Sequence, residues 1–87
     1  MKIKAGFMLR EVAGNYVVVP VGEASKEFKG IITLNSSGAF LWKSLLEECS
    51  IEELLEKFLD EYDIDEETAK KDIELFINKI KEVNILE

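Results

Sequence analysis

The sequence predicts an α+β domain, a three-stranded antiparallel meander followed by three helices. Two observations carry this. Up to Leu34 the chain holds short apolar, β-branched runs separated by glycine-bearing turns, and beyond it apolar residues recur at the three and four spacings of amphipathic helices. The change of period falls within a single stretch, "GIITLNSSGAFLWKSL" (Gly30 to Leu45), where a strand hands over to a helix across a few polar residues.

The first two strands are "GFMLREV" (Gly6 to Val12) and "NYVVVPVG" (Asn15 to Gly22), and the "AGN" between them carries the Gly and Asn that supply positive φ in a tight hairpin. Pro20 has no amide to donate, so its side of the second strand should face a loop, a bulge or solvent, and that strand is expected to be short or interrupted. "EASKEFK" (Glu23 to Lys29) reads as a polar connection closed by Gly30, and Ile31 to Leu34 as the third strand.

The first helix is expected from Ser36 or Ser37 to Glu48, with Asn35, Ser36 or Ser37 available to cap it and Phe40, Leu41, Trp42, Leu45 and Leu46 on its apolar face. Trp42 reads as a core anchor. Ser50 and Glu53 have the spacing of a capping box at the start of the second helix, whose stripe is Leu54, Leu55, Phe58, Leu59 and Tyr62. Asp65 caps the third, with Glu66 and Glu67 at the positive end of its dipole and Ala69, Ile73, Phe76, Ile77, Ile80 and Val83 along one face. Asn84 can take the left-handed conformation that ends a helix, leaving Ile85 and Leu86 to fold back on the core.

Eighty-seven residues with 47% hydrophobic and 33% charged content suit one compact domain, residues 1–87, too small to spare many core positions for a deep catalytic cavity. No run of 18 apolar residues and no signal-peptide pattern occurs at the N-terminus, so a cytoplasmic protein without membrane contact is expected. Charge is divided unevenly: Met1 to Leu46 is net +3 and Glu47 to Glu87 net −10. The acidic half repels phosphates and reads as solvated helix surface.

There is no histidine, which removes the commonest general base and metal ligand and every Ser-His or Cys-His nucleophile. Cys49, the one cysteine, reads as a small buried hydrophobe. "DEYDIDEE" lacks the ligand order and central glycine of a calcium loop, and "NSSG" lacks the glycine spacing and lysine of a phosphate loop. The residues call for no catalysis, no metal and no cofactor.

Three segments in order, "ITLNSSGAFLW", "SIEELLEKFLDEYDID" and "DIELFINKIKEVNIL", resemble the PqqD-like family, small proteins named after a factor of pyrroloquinoline quinone biosynthesis. The resemblance extends from Gly6 to Leu86. It implies a winged helix-turn-helix-like fold whose members act as recognition elements for ribosomally made, modified peptides. In them the leader segment of a precursor adds as an extra strand to the third strand and rests against the third helix. Carried onto this chain, the binding residues are Ile31, Ile32, Thr33 and Leu34 on the strand and Asp72, Phe76 and Lys79 on the helix.

The resemblance thus implies a non-catalytic adaptor that binds a leader peptide and presents it to a modifying enzyme, with a radical S-adenosylmethionine enzyme as one candidate. A winged-helix DNA-binding regulator is the alternative. Lys70, Lys71, Lys79 and Lys81 would serve it, but Asp72, Glu74 and Glu82 are interleaved with them and the isoelectric point is about 4.6, so no nucleic-acid partner is expected. Edge-to-edge pairing with a second copy, giving a homodimer, is a third option.

Overall fold

The computed structural model describes residues 1–27 and 30–87. The elements are β1 (Phe7–Val12), β2 (Asn15–Pro20), α1 (Ala24–Glu27), β3 (Ile32–Leu34), α2 (Ser36–Ser44), α3 (Ile51–Glu61) and α4 (Glu66–Glu82). The expected α+β order holds: an antiparallel sheet of order β1-β2-β3, followed by the three long helices. The described residues divide into two compact units, Lys4–Ala39 and Met1–Ile3 with Phe40–Glu87.

In the first unit, β1 and β2 pair from Phe7 opposite Pro20 to Val12 opposite Asn15, which leaves a two-residue turn. The positive φ falls on Ala13 (51°) and Gly14 (82°), because the register puts Asn15 already in the strand. A side chain with a Cβ therefore occupies a conformation that favours Gly or Asn. β2 is neither short nor interrupted. The Val21 amide donates to the Gly6 carbonyl, so by alternation the nitrogen of Pro20 faces the β3 side. There β3 begins only at Ile32, opposite Val18, and no ladder bond is lost.

The polar connection after β2 contains a helical turn that its composition does not announce. Ser25 and Lys26 donate their amides to the carbonyls of Gly22 and Glu23 (both 3.1 Å), the Ser25 hydroxyl also donates to Gly22 (2.7 Å), and Lys26 lies 3.5 Å from the Glu23 carboxylate. Ala, Ser, Lys and Glu all tolerate helix, so one fixed carbonyl is enough to start a turn. Phe28 and Lys29, the end of that expected connection, lie outside the described residues.

The second unit contains the larger core. Leu41, Trp42, Leu45, Leu54, Phe58, Ile80 and Ile85 are almost completely buried, and Phe40, Phe58 and Tyr62 form an aromatic cluster with centroids 5.1 to 6.2 Å apart. α2 stops at Ser44, short of the expected Glu48. The Leu45 amide is shared between the Leu41 and Trp42 carbonyls, and Leu46 donates to Lys43, the tightened bonding of a last helical turn. The Leu45 carbonyl is taken by the Ile3 amide and the Met1 carbonyl by the Cys49 amide, so the N-terminal segment fixes the exit of the chain from α2. Leu46, expected on the apolar face, is consequently half exposed.

Both C-terminal helices begin at the caps their sequences predict, and α4 also ends at the residue predicted to stop it. At α3 the Ser50 amide donates to Glu53 Oε1 and the Glu53 amide to Ser50 Oγ, each at 3.1 Å. At α4 Asp65 accepts the Thr68 amide and, at 2.7 Å, the Thr68 hydroxyl. Asn84 takes φ 60°, with Ile85 N–H bonded to the Ile80 carbonyl and Asn84 N–H to the Lys81 carbonyl, a Schellman ending built on Asn. The chain then bridges back from Leu86 to Ile3. Cys49 is buried, as a small hydrophobe would be.

Three outcomes test this description. Trp42→Ala, at a position 1% exposed, should cost about 3 to 5 kcal/mol in denaturant melts, and a loss under about 1 kcal/mol would contradict its role as core. Ala13→Asn should raise stability by about 0.5 to 1 kcal/mol by matching the residue to its positive φ. The third concerns Glu53, whose carboxyl is held below its ordinary 4.5 by hydrogen bonds from the Ser50 amide and hydroxyl. A carboxylate with a lowered folded-state pKa contributes stability above its ordinary value, and that contribution is lost as pH falls through the folded one. Glu53→Gln, which removes the titrating group, should therefore flatten the acid side of the stability profile below about pH 4.5 in denaturant melts run across pH.

Candidate functional site

β3 is three residues long and stands last in the sheet, with β2 as its one strand neighbour among the described residues. Its pairing runs Ile32 to Val18, Thr33 to Val17 and Leu34 to Tyr16. Ile32 and Leu34 are buried and Thr33 is exposed, so the strand spends two of its three side chains on the core and keeps one at the surface. Ile31 precedes the strand and is 62% exposed, so the expected run from Ile31 to Leu34 shortens by one residue.

The far end of β3 is fixed by Asn35. Its Oδ1 accepts the Gly38 amide at 2.7 Å and the Ser37 hydroxyl at 3.1 Å, while its carbonyl accepts the Ala39 amide at 2.9 Å. Asn35, one of the three expected capping residues, is thus the N-cap of α2. Gly38 is matched to it: a Cβ there would lie 3.0 Å from Asn35 Oδ1 and 3.4 Å from the Leu34 Cβ. Strand thus becomes helix within one residue, without a flexible joint.

The expected helix residues lie on α4, in the other unit. Asp72 and Lys79 are exposed and seven residues apart, two turns along one flank. Phe76, between them, is 6% exposed and belongs mainly to the buried stripe with Ile73, Ile77 and Ile80. It therefore offers an incoming chain little surface, because a six-residue apolar face on one helix is consumed by its own core. The flank carries instead a residue that sequence reasoning passed over. Leu75 is 70% exposed, three residues after Asp72 and four before Lys79. Its signal in the sequence was an apolar residue out of phase with the stripe.

Among the described residues no side-chain polar atom is buried without a partner, and no group of His, Cys, Asp or Glu is placed to hold a metal ion. No helix among them is long and apolar enough to cross a membrane.

The family model described as coenzyme PQQ synthesis protein D (PqqD) matches residues 15–86. The chain belongs to the PqqD family. The match takes in β2, β3 and every helix but leaves out β1, so it starts later than the expected Gly6. No curated protein matches the chain. Two solved structures share the fold of this PqqD-family chain. "TbiB1 in Complex with the TbiA(beta) Leader Peptide" has a TM-score of 0.76 at 22% identity, covering 100% of this chain and 95% of that one. "Lasso peptide synthetase B1 complexed with the leader peptide" has a TM-score of 0.73 at 16% identity, covering 99% and 95%.

Proposed function

We propose that residues 1–87 form one peptide-recognition domain, a non-catalytic adaptor that captures the leader segment of a ribosomally made precursor by strand addition and presents it to a separate modifying enzyme. The observation that carries the reading is the terminal position of β3 in the sheet of a PqqD-family chain. An edge strand supplies main-chain hydrogen bonds to an extended peptide, and pockets for its alternate side chains supply selectivity. The two solved structures that share the fold, each complexed with a leader peptide, support it further.

In this reading the peptide pairs along Ile32, Thr33 and Leu34, with the exposed Ile31 extending the apolar surface at the strand's start. Asp72 and Lys79 on α4 orient the peptide through charge. Leu75 supplies the apolar contact expected of Phe76, which contributes at most an edge of its ring. The chemistry is left to the partner enzyme, of which a radical S-adenosylmethionine enzyme is one candidate. The acidic C-terminal half gives no reason to favour DNA. A protein that works with a newly made peptide is placed in the cytoplasm.

The test is a backbone amide titration by NMR with the precursor peptide encoded next to this chain's gene. The largest shifts should fall at Ile31 to Leu34 and along Asp72 to Lys79, with little change at the hairpin turn, Ala13 to Asn15. Leu75→Ala should fold normally and weaken the peptide by about tenfold, the loss expected for uncovering one leucine. Shifts confined to α3, or no binding by any adjacent precursor, would overturn the proposal.

A further inference from the structure

The sheet has an outward face, and its side chains are not those of a solvated one. By the pairing register, Arg10, Val17 and Thr33 form one row across β1, β2 and β3, and Met8 and Val19 begin the next, which Ile31 completes just ahead of β3. Side chains along a strand alternate between faces, so these six point away from the side on which Val18, Ile32 and Leu34 are buried. Met8 is 43% exposed, Ile31 is more so, and Val17 and Val19 are half-buried. Val12, next to Arg10 on the same face, is 55% exposed. An antiparallel sheet with one face in water alternates apolar inward with polar outward. Here four of the six outward side chains in the two rows are apolar, and they adjoin one another.

The polar positions in those rows select what fits. A twisted sheet packs against another of the same twist about 10 Å away, with the strands of the two nearly aligned. A second copy of the chain brings such a sheet. Turned about a two-fold axis along β2, it lays each row over itself, with Val17 and Val19 on their own counterparts and β1 over β3. Met8 then meets the partner's Ile31. Arg10, the one charge in the two rows, meets the partner's Thr33, their one neutral polar side chain, whose hydroxyl oxygen can accept from the guanidinium. A two-fold axis across the strands matches nothing: it sets Arg10 against the partner's Arg10 or buries it on the partner's Met8. The footprint, at most about 20 Å by 14 Å for three strands of this length, is small for a specific interface, so the pair is a weak one.

We propose that the outward face of the β1-β2-β3 sheet is a self-association surface, on which a second copy of the chain stacks about a two-fold axis along β2. The contact is made by side chains across the face, whereas the edge of β3 lies in the plane of the sheet and is not taken by it. Self-association therefore needs no leader peptide, and the inference stands or falls apart from the adaptor reading.

Sedimentation equilibrium of the full chain without peptide, from about 10 μM to about 1 mM, should show monomer and dimer with a Kd on the order of 100 μM. Met8→Lys should raise that Kd about tenfold or more, whereas Leu46→Lys, at a similarly exposed apolar residue outside the sheet, should leave it within about twofold. Charge tests the polar pair. Thr33→Glu should tighten the dimer about threefold or more by facing the partner's Arg10, Thr33→Lys should weaken it, and Arg10→Glu added to Thr33→Lys should restore it. Near-ultraviolet circular dichroism of Trp42 checks folding, and if Met8→Lys unfolds the chain, the substitutions at the exposed Thr33 carry the test. A chain still monomeric at about 1 mM, a dimer indifferent to Met8→Lys, or a double variant no tighter than Thr33→Lys would overturn the inference. So would a monomer that floats with phosphatidylglycerol vesicles and is released by Met8→Lys, which would give the face to a lipid surface.

Discussion

One side chain, Asn35, decides what the strand beside it can be. A three-residue strand has too few ladder bonds to hold its own direction, and β3 is bonded to a single strand neighbour among the described residues. Its position is instead set from its end, where Asn35 takes the Gly38 amide at 2.7 Å and begins α2. The cap satisfies an otherwise orphan helix donor and removes the freedom of the joint in the same bond. A strand held in this way is preformed, and a preformed strand need not be ordered at the moment another chain pairs with it. The glycine three residues on is part of the device, since a methyl group there would press on the oxygen that makes the cap.

Much of this was legible in the sequence, and what was legible shares a cause. Ser50 with Glu53, Asp65 with Thr68, and Asn84 act through bonds to residues within five positions, so spacing alone predicts them. The helical stripes were equally plain, because burial repeats with the period of the helix. The misses lie where a distant or registered contact overrides a local preference. α2 ends early because Ile3, more than forty residues back along the chain, takes the carbonyl of Leu45. Positive φ falls on Ala13 instead of Asn15 because the pairing register leaves two residues for the turn. Of the expected third strand, Ile32 to Leu34 lie in β3 and Ile31 just before it. Phe76 was assigned to a surface that its neighbours in the stripe had already enclosed, and Leu75 went unnoticed for want of a partner in sequence.

The uneven charge gives the two halves of the chain different surfaces. The N-terminal half, net +3, holds the sheet, and the C-terminal half, net −10, holds α3 and α4. Strand addition draws its affinity from main-chain bonds, which are indifferent to net charge, so a sheet edge can accept peptides of varied composition. A helical surface such as Ile51 to Glu67, net −8 over seventeen residues, behaves differently: it attracts basic surfaces at a distance and repels its own kind. A sheet edge and a charged helical surface are therefore governed by different forces and can be tuned by different residues.

That separation explains why α4 can be apolar on more than one side without becoming an aggregation site. Its inner stripe, Ala69 to Ile80, is buried; Leu75 stands alone on one flank; Ile73 and Ile77 are reached from the other only through the groove between the helices. Each exposed apolar feature is small and has charges close by in sequence, Asp72 and Lys79 in one case and Glu74 and Lys81 in the other. Single apolar residues in a charged setting do not drive association without a partner of matching pattern. The same arrangement would make any contact there selective, because a chain that offers the apolar anchor without the complementary charge, or the charge without the anchor, gains too little to stay.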